Sequence, residues 1–427
     1  MFQIWLIHFI RQFQNNSCKF GWKKGKKMKL LFIQGGSRWK FDQEGNVYTD
    51  ANFNEKIWDR YRLICDELTV LLRCETKTYE KTEAEKMFNK YDMSKSHCVS
   101  MPDLYRPVKN VFKLSVRKEI KEIIKNEVIK ADKVIIRSVS DIYTDLAVKY
   151  AKKYKKSYLI EVTTFIFESL WYHSLKGKLV AYIQEQKCKK VVSECEYASY
   201  VTDDALQNRY PCKKYSLGCS DVELPVISKE VLDKRIEKIS KKDNSKKMII
   251  GTAAFLDVGW KGQKYVIKAL YNLKKRGMTN LEYQLIGSGT GDKLKKIVEK
   301  LNMQDQVKII GALEHEKVFE WLDTIDVYVQ PSFQEGLCRA LLEAMSRACP
   351  AIASDVGGNY ELLEKACLFQ KGNVGQIVDQ LENMCNLDSI KRNAQQNYDK
   401  ALKYSTNILN QKRTEFYKKF AMEERVK

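Results

Sequence analysis

Two α/β domains, each built on a doubly wound parallel sheet, are what this sequence predicts, and three observations predict them. Its 427 residues, 44% of them hydrophobic, are enough for two cores. From Lys247 onward, short β-branched runs, Gly-bearing turns and helical patterns follow one another repeatedly, as in strands joined by crossover helices. A second, more divergent run of the same kind extends from Met28 to Val222.

The first elements need separate handling. Phe2–Ile10 is apolar but far shorter than the ~20 residues a spanning helix requires, and Trp22–Lys27 is rich in lysine. Residues 1–27 therefore read as an extension, either preceding a true start at Met28 or acting as a loose surface anchor. Residues 28–225 form the first domain, with strands at Leu30–Gln34, Val134–Ser138, Tyr158–Val162 and Ala198–Val201. Gly35-Gly36 reads as the turn after its first strand, and Ile57–Leu72 and Leu146–Tyr154 as helices. Ser228–Lys247, dense in charge, is a solvated helix or linker.

Residues 226–405 form the second domain. Met248–Gly251 leads to Trp260-Lys261-Gly262 and a helix from Gln263; Tyr283–Ile286 leads to Gly287-Ser288-Gly289 and a helix through Leu294. Val307–Ile310 leads to Gly311 and a helix near Lys317–Leu322, and Pro350–Ser354 leads to Gly357-Gly358 and Tyr360–Leu363. A charged, helical C-terminal stretch begins at Ile390, and 406–427 is expected to return to the first domain through Tyr417 and Phe420.

Within this frame stand two carboxylates, Glu335 and Glu343. The strand-like Ile325–Val329 gives way through Pro331 and Gly336 to a helix carrying Leu341, Ala344, Met345 and Ala348. Glu335 falls in the turn and Glu343 one to two turns into the helix. Eight helical residues rise about 12 Å, a span suited to a long, bipartite anionic ligand. Gly336 and the first N–H groups of the helix between them suit a diphosphate. All these Gly clusters fall at carboxyl ends of strands, where ligands bind such sheets.

These residues resemble the retaining glycosyltransferases of the GT-B fold, family 4. The Glu-x7-Glu register is Glu335 to Glu343, followed by a Glu-Ala-Met run and by Pro350–Gly358 in the pattern Pro-x-x-x-Ser-x-x-Gly-Gly; Lys261-Gly262 and Gly287-x-Gly289 precede them. The resemblance implies two Rossmann-like domains facing across a cleft. It implies that Glu335 contacts the donor sugar, Glu343 the ribose, and Lys261 the diphosphate, helped by the amides of Gly336, Leu337 and Cys338. A lysine beside the leaving diphosphate stabilises the charge that grows as the glycosidic bond breaks. Base contacts fall near Gly311–Leu313, and Gly35-Gly36 approaches the phosphate from the other domain. One departure is Gly251-Thr252, where the family carries Gly-Arg; either Lys264 or Arg339 nearby is the candidate for the second charge, and the sequence assigns neither. The reaction implied is a front-face transfer that needs no cofactor and no metal, and Asp203-Asp204 reads as a helix cap.

Acceptor recognition is expected in the first domain, where Trp39, Trp58, Trp171, Tyr172 and His173 are candidates for stacking on and hydrogen bonding to a glycan, His173 being also a candidate catalytic group. Twelve cysteines without a Cys-x-x-Cys pair, and four scattered histidines, indicate neither a disulfide framework nor a zinc site. A cytoplasmic protein is expected. The net charge of +21 fits attraction to an anionic membrane surface better than nucleic acid, because the basic residues form no single stripe. The expected partners are a nucleotide-sugar and a glycan or polyprenyl-linked glycan acceptor, with surface polysaccharide as the pathway. A nucleotide-sugar epimerase of the same fold and a basic nucleic-acid-binding scaffold are the alternatives.

Overall fold

The computed structural model describes residues 27–50, 53–241 and 247–423; all but the last residue of the N-terminal extension lies outside them. The chain divides into two compact units, Ser37–Val134 with Met1–Phe32, and Ile135–Lys427 with Ile33–Gly36. The domain boundary expected at 225/226 lies inside the second unit, between its two sheets.

Strands of the first unit are β1 (Lys29–Asp42, of which 33–36 belong to the second unit), β2 (Val47–Thr49), β3 (Glu67–Tyr79), β4 (Asn89–Lys90) and β5 (His97–Met101). They run in the order β4-β2-β1, with β3 on β1 and β5 on β3. The β2 and β4 pairings are antiparallel, an addition to a purely parallel scheme. Two expectations fail here. Gly35-Gly36 is not a turn but lies within β1, and Gly35 leaves room for the Asp141 carboxyl, whose Oδ2 would stand 2.1 Å from an added Cβ. The helix expected over Ile57–Leu72 is a short helix, Glu55–Arg62, followed by β3. The buried run Val70, Leu71, Leu72 pairs with β5, and periodicity alone does not separate such a run from a helix.

Trp39 and Trp58 are fully buried and so cannot stack on a glycan. Trp58 stacks on Phe53 at 5.0 Å and meets Phe32 edge-on at 5.4 Å, while Trp39 packs on Tyr91 and donates from Nε1 to the Val99 carbonyl. Their area is spent on the core.

In the second unit, β6 (Lys133–Arg137), β7 (Ser157–Val162), β8 (Tyr197–Tyr200) and β9 (Tyr215–Gly218) lie side by side in chain order. The other sheet holds β10 (Met248–Ala253), β11 (Leu281–Ile286), β12 (Val307–Gly311), β13 (Val327–Gln330), β14 (Ala351–Ser354) and β15 (Leu368–Phe369). Every pairing in it is parallel, in the order β12-β11-β10-β13-β14-β15. Alternate strand residues feed separate cores. Ile250, Tyr283, Leu285 and Val329 pack with helices Gln263–Lys275 and Val374–Asn383; Tyr328, Ala351 and Ala353 pack with Trp321 and helix Arg339–Ser346. A sheet apolar on both faces and covered on both is the doubly wound arrangement.

The C-terminal stretch is two helices, Leu387–Leu402 and Thr406–Met422. Tyr417 of the second donates to Glu161 on β7, Arg413 donates to the Ser220 carbonyl at 2.6 Å, and Phe420 meets Tyr197 at 5.3 Å. Among the described residues, no helix is long and apolar enough to cross a membrane.

Candidate active site

The order of the all-parallel sheet reverses between β10 and β13, and crevices for ligands open at such a switch point, beyond the carboxyl ends of the strands. The loops that follow these two strands carry Lys261 and Glu335. After β10 the chain makes one 3-10 turn, Gly259–Lys261, and leaves it through Gly262 at φ +77°. Glycine is required twice over at that position: the conformation is left-handed, and an added Cβ would stand 1.9 Å from the Pro331 carbonyl oxygen. Phe333 N–H donates to the Trp260 carbonyl at 2.8 Å, which laces the two loops together.

This lacing sets Lys261 Nζ 2.6 Å from Glu335 Oε1, with the two side chains only 14% and 11% exposed. The same oxygen accepts from Gln330 Nε2 at 3.2 Å. Gln330, fully buried at the end of β13, also accepts from Tyr328 OH at 2.7 Å and donates to Ser332 Oγ at 2.8 Å. Glu335 is thus held by a satisfied polar network, which fixes its rotamer. Gly357-Gly358 lies beneath it: Gly358 N–H donates to the Gly336 carbonyl at 2.7 Å, and an added Cβ on Gly357 would stand 2.0 Å from the Glu335 carbonyl oxygen. Gly336 itself has no room for a side chain, because a Cβ there would come 2.3 Å from the Thr163 carbonyl beyond β7.

Glu343 lies in the second turn of helix Arg339–Ser346. Only part of the stretch between the carboxylates is helical, since 335–338 is irregular; the helical rise of eight residues inferred from the sequence does not apply. Glu343 Oε1 instead stands 3.8 Å from His315 Nε2, and this carboxylate raises the His315 pKa above its ordinary value. Exposed Arg339 opposes that protonation. His315 opens helix His315–Thr324 just after Gly311 and Leu313, so Glu343 and those residues share one corner. Gly311 has φ +93° and open space where a Cβ would be, while Leu313 packs on the core behind it. Leu337 and Cys338 are buried, and Cys338 is the N-cap residue of Arg339–Ser346.

Gly287 and Gly289 hold left-handed conformations and press on the β10 loop, at Ala254 and Asp257. Asp257 accepts from the N–H groups of Thr290 and Gly291, both at 2.9 Å, and those bonds hold its carboxyl below the ordinary range. Thr252 is buried within β10, donating to the Val329 carbonyl and accepting from Tyr283 OH. The position where the sequence resemblance expects an arginine is therefore an interior sheet position here, and Lys261 is a cation seated at the switch point.

His173 is exposed at the end of helix Ile166–His173. Its neighbour Tyr172 meets Phe333, two residues before Glu335, with ring centroids 5.7 Å apart. Asp204 occupies an N-cap position without capping through its side chain. Glu361 supplies the cap instead, accepting from the N–H groups of Asp203 at 2.7 Å and Ala205 at 2.5 Å. Sequence reasoning missed Gln330, His315, Asp257 and Glu361. Of these only Gln330 carried a local signal, being polar at the end of an otherwise apolar strand.

Residues 233–401 match the family described as glycosyl transferases, group 1. Protein CapJ of Staphylococcus aureus is 30% identical over 354 residues, 82% of this chain and 84% of that protein. The amylovoran biosynthesis glycosyltransferase AmsK of Erwinia amylovora is 33% identical over 111 residues, 24% of this chain and 27% of that one. Among solved structures, Anabaena HepE in complex with UDP-glucose superposes with a TM-score of 0.59 at 13% identity, covering 91% of this chain and 99% of that one. At that identity the likeness speaks for a shared fold.

Proposed function

Since the chain belongs to the group 1 glycosyltransferases, we propose that it is a retaining, family 4 enzyme that moves a sugar from a UDP- or GDP-sugar to a glycan or lipid-linked glycan. The observation that carries this reading is the Lys261–Glu335 pair at the switch point: a cation for a diphosphate stands beside a carboxylate for sugar hydroxyls. So desolvated a pair adds little net stability, and ligand chemistry accounts for it better than folding does.

In this reading the donor diphosphate takes Lys261 as its counter-ion, and Glu335, released from the ion pair and still steered by Gln330, accepts hydrogen bonds from the transferring sugar. Glu343, beside the Gly311–His315 corner, accepts from the ribose diol. As the glycosidic bond breaks, charge accumulates on the leaving β-phosphate, where Lys261 and the amides of Gly336 to Cys338 oppose it. The leaving phosphate takes the acceptor proton, so no metal or separate general base is required. Tyr172 and His173 border the acceptor side. The names of the relatives favour surface polysaccharide as the product, and the net charge of +21 favours peripheral membrane placement on the cytoplasmic side. Isothermal titration calorimetry against UDP-, GDP- and ADP-sugars tests the reading. Binding of one donor class is expected; no binding by any of them overturns it.

A further inference from the structure

Helix Leu175–Glu194 is apolar on two opposite faces. Gly177, Ala181, Cys188 and Val192 are buried on one side. On the other, Leu175, Leu179, Tyr182 and Ile183 are 79%, 81%, 66% and 58% exposed. Their spacing of four, seven and eight residues puts them in one stripe over the first turns of the helix. A stripe of this kind on a monomer marks a surface that something covers.

The charges around the stripe identify its partner. Lys176 and Lys178 flank it and both are exposed. The ammonium of Lys178 stands 5.2 Å from the ring centroid of Trp171, which is 38% exposed at the end of the preceding helix. The only acidic residue of that helix before Glu194 is Glu185, buried and bonded to Arg209 and Tyr210. Apolar side chains flanked by lysines and an aromatic ring, with no exposed acid among them, match the interface of an anionic bilayer. A second copy of the chain fits less well, because a two-fold contact would set these lysines against their own copies.

We infer that the first turns of helix Leu175–Glu194 are a membrane-docking surface, with Leu175, Leu179, Tyr182 and Ile183 entering the headgroup boundary of an anionic bilayer and Lys176 and Lys178 meeting its phosphates. The placement serves the reaction, since Tyr172 of the adjoining helix touches Phe333 beside Glu335. A lipid-linked acceptor held by the same bilayer is thereby presented near the donor loop. This purpose rests on the proposed transferase reading, whereas lipid binding itself does not.

The test is co-sedimentation of the full chain with vesicles of equal parts phosphatidylglycerol and phosphatidylcholine, and with phosphatidylcholine alone. The protein should bind the anionic vesicles and leave the neutral ones. The triple variant Leu175→Ser, Leu179→Ser, Ile183→Ser should bind them at least about tenfold more weakly, from the apolar area lost. Lys176→Glu with Lys178→Glu, which leaves the apolar stripe in place, should weaken binding by a similar factor and checks the inference independently of any folding defect in the first variant. Donor titration in both variants should be unchanged, which separates failure of docking from failure of the transferase reading. Wild-type protein that ignores anionic vesicles, or variants that bind as well as wild type, overturn the inference. So does light scattering that shows a wild-type dimer dissociated by the triple substitution, because the stripe is then a self-association face.

Discussion

Glu335 and Glu343 keep different company, and their substitutions should therefore fail differently. Glu335 is bound to Lys261 and Gln330 at the switch point, Glu343 to His315 in the corner after β12. Glu343→Ala should weaken nucleoside diphosphate binding roughly tenfold, the worth of hydrogen bonds to a charged acceptor. Glu335→Ala should lower kcat roughly a hundredfold or more with a small effect on nucleotide affinity, as for a group that acts on developing charge. Calorimetry and steady-state rates distinguish the two; equal losses of nucleotide affinity contradict the division. His315 adds a pH dependence. Its pKa is raised by Glu343, so the pair is fully formed below the ordinary histidine value of about 6.5 and is lost as pH rises through the raised value. Deprotonation frees Glu343 for the ribose, so nucleotide affinity should rise across that window. His315→Gln should flatten the profile, and an unchanged profile removes His315 from the account.

Among the elements, the glycine turns explain why separate motifs occur together in one chain. Gly357 has φ +55°, and an added Cβ would stand 2.0 Å from the carbonyl of Glu335. Gly357→Ala should displace the 335–336 turn and cost about 1–3 kcal/mol, with a fall in Tm and a larger fall in kcat. Gly277→Ala, ahead of the amino end of β11 and away from the site, is the control: φ is +90° but no atom lies within 4 Å of the added Cβ, so only conformational strain of about 1–2 kcal/mol is expected. Equal kcat losses in the two variants would separate Gly357 from the positioning of Glu335. The same scale shows where local reading fails. β10 through β14 were legible because β-branched runs ended in glycine at regular intervals. The strand β3 and the extended Gly35-Gly36 carry no such local signal, because strand pairing with β5 and the approach of Asp141 involve residues far along the chain.

At the scale of the whole molecule, the C-terminal helix straps its own unit through a buried polar cluster. Arg137 bonds Glu161 and Asp221, and Arg413 bonds the Ser220 carbonyl and approaches Asp221 at 3.7 Å. Removing one buried partner costs about 3–5 kcal/mol because the remaining charge stays desolvated. Arg413→Ala should therefore lower Tm by roughly 5–10 °C in thermal unfolding followed by circular dichroism. A shift under about 1 °C would show that the strap contributes nothing. The fold class, the strand–turn–helix order from β10 to β14, and the placing of Glu335 in a turn and Glu343 in the helix after it are readable from the chain, because periodicity and motif spacing are local properties of a polymer. The pairing of Lys261 with Glu335, the seat of Glu343 beside His315 and the burial of Trp39 and Trp58 are not. They follow from which strands lie side by side and which loops cross at the switch point, and those contacts join residues whose separation along the chain carries no trace of their separation in space.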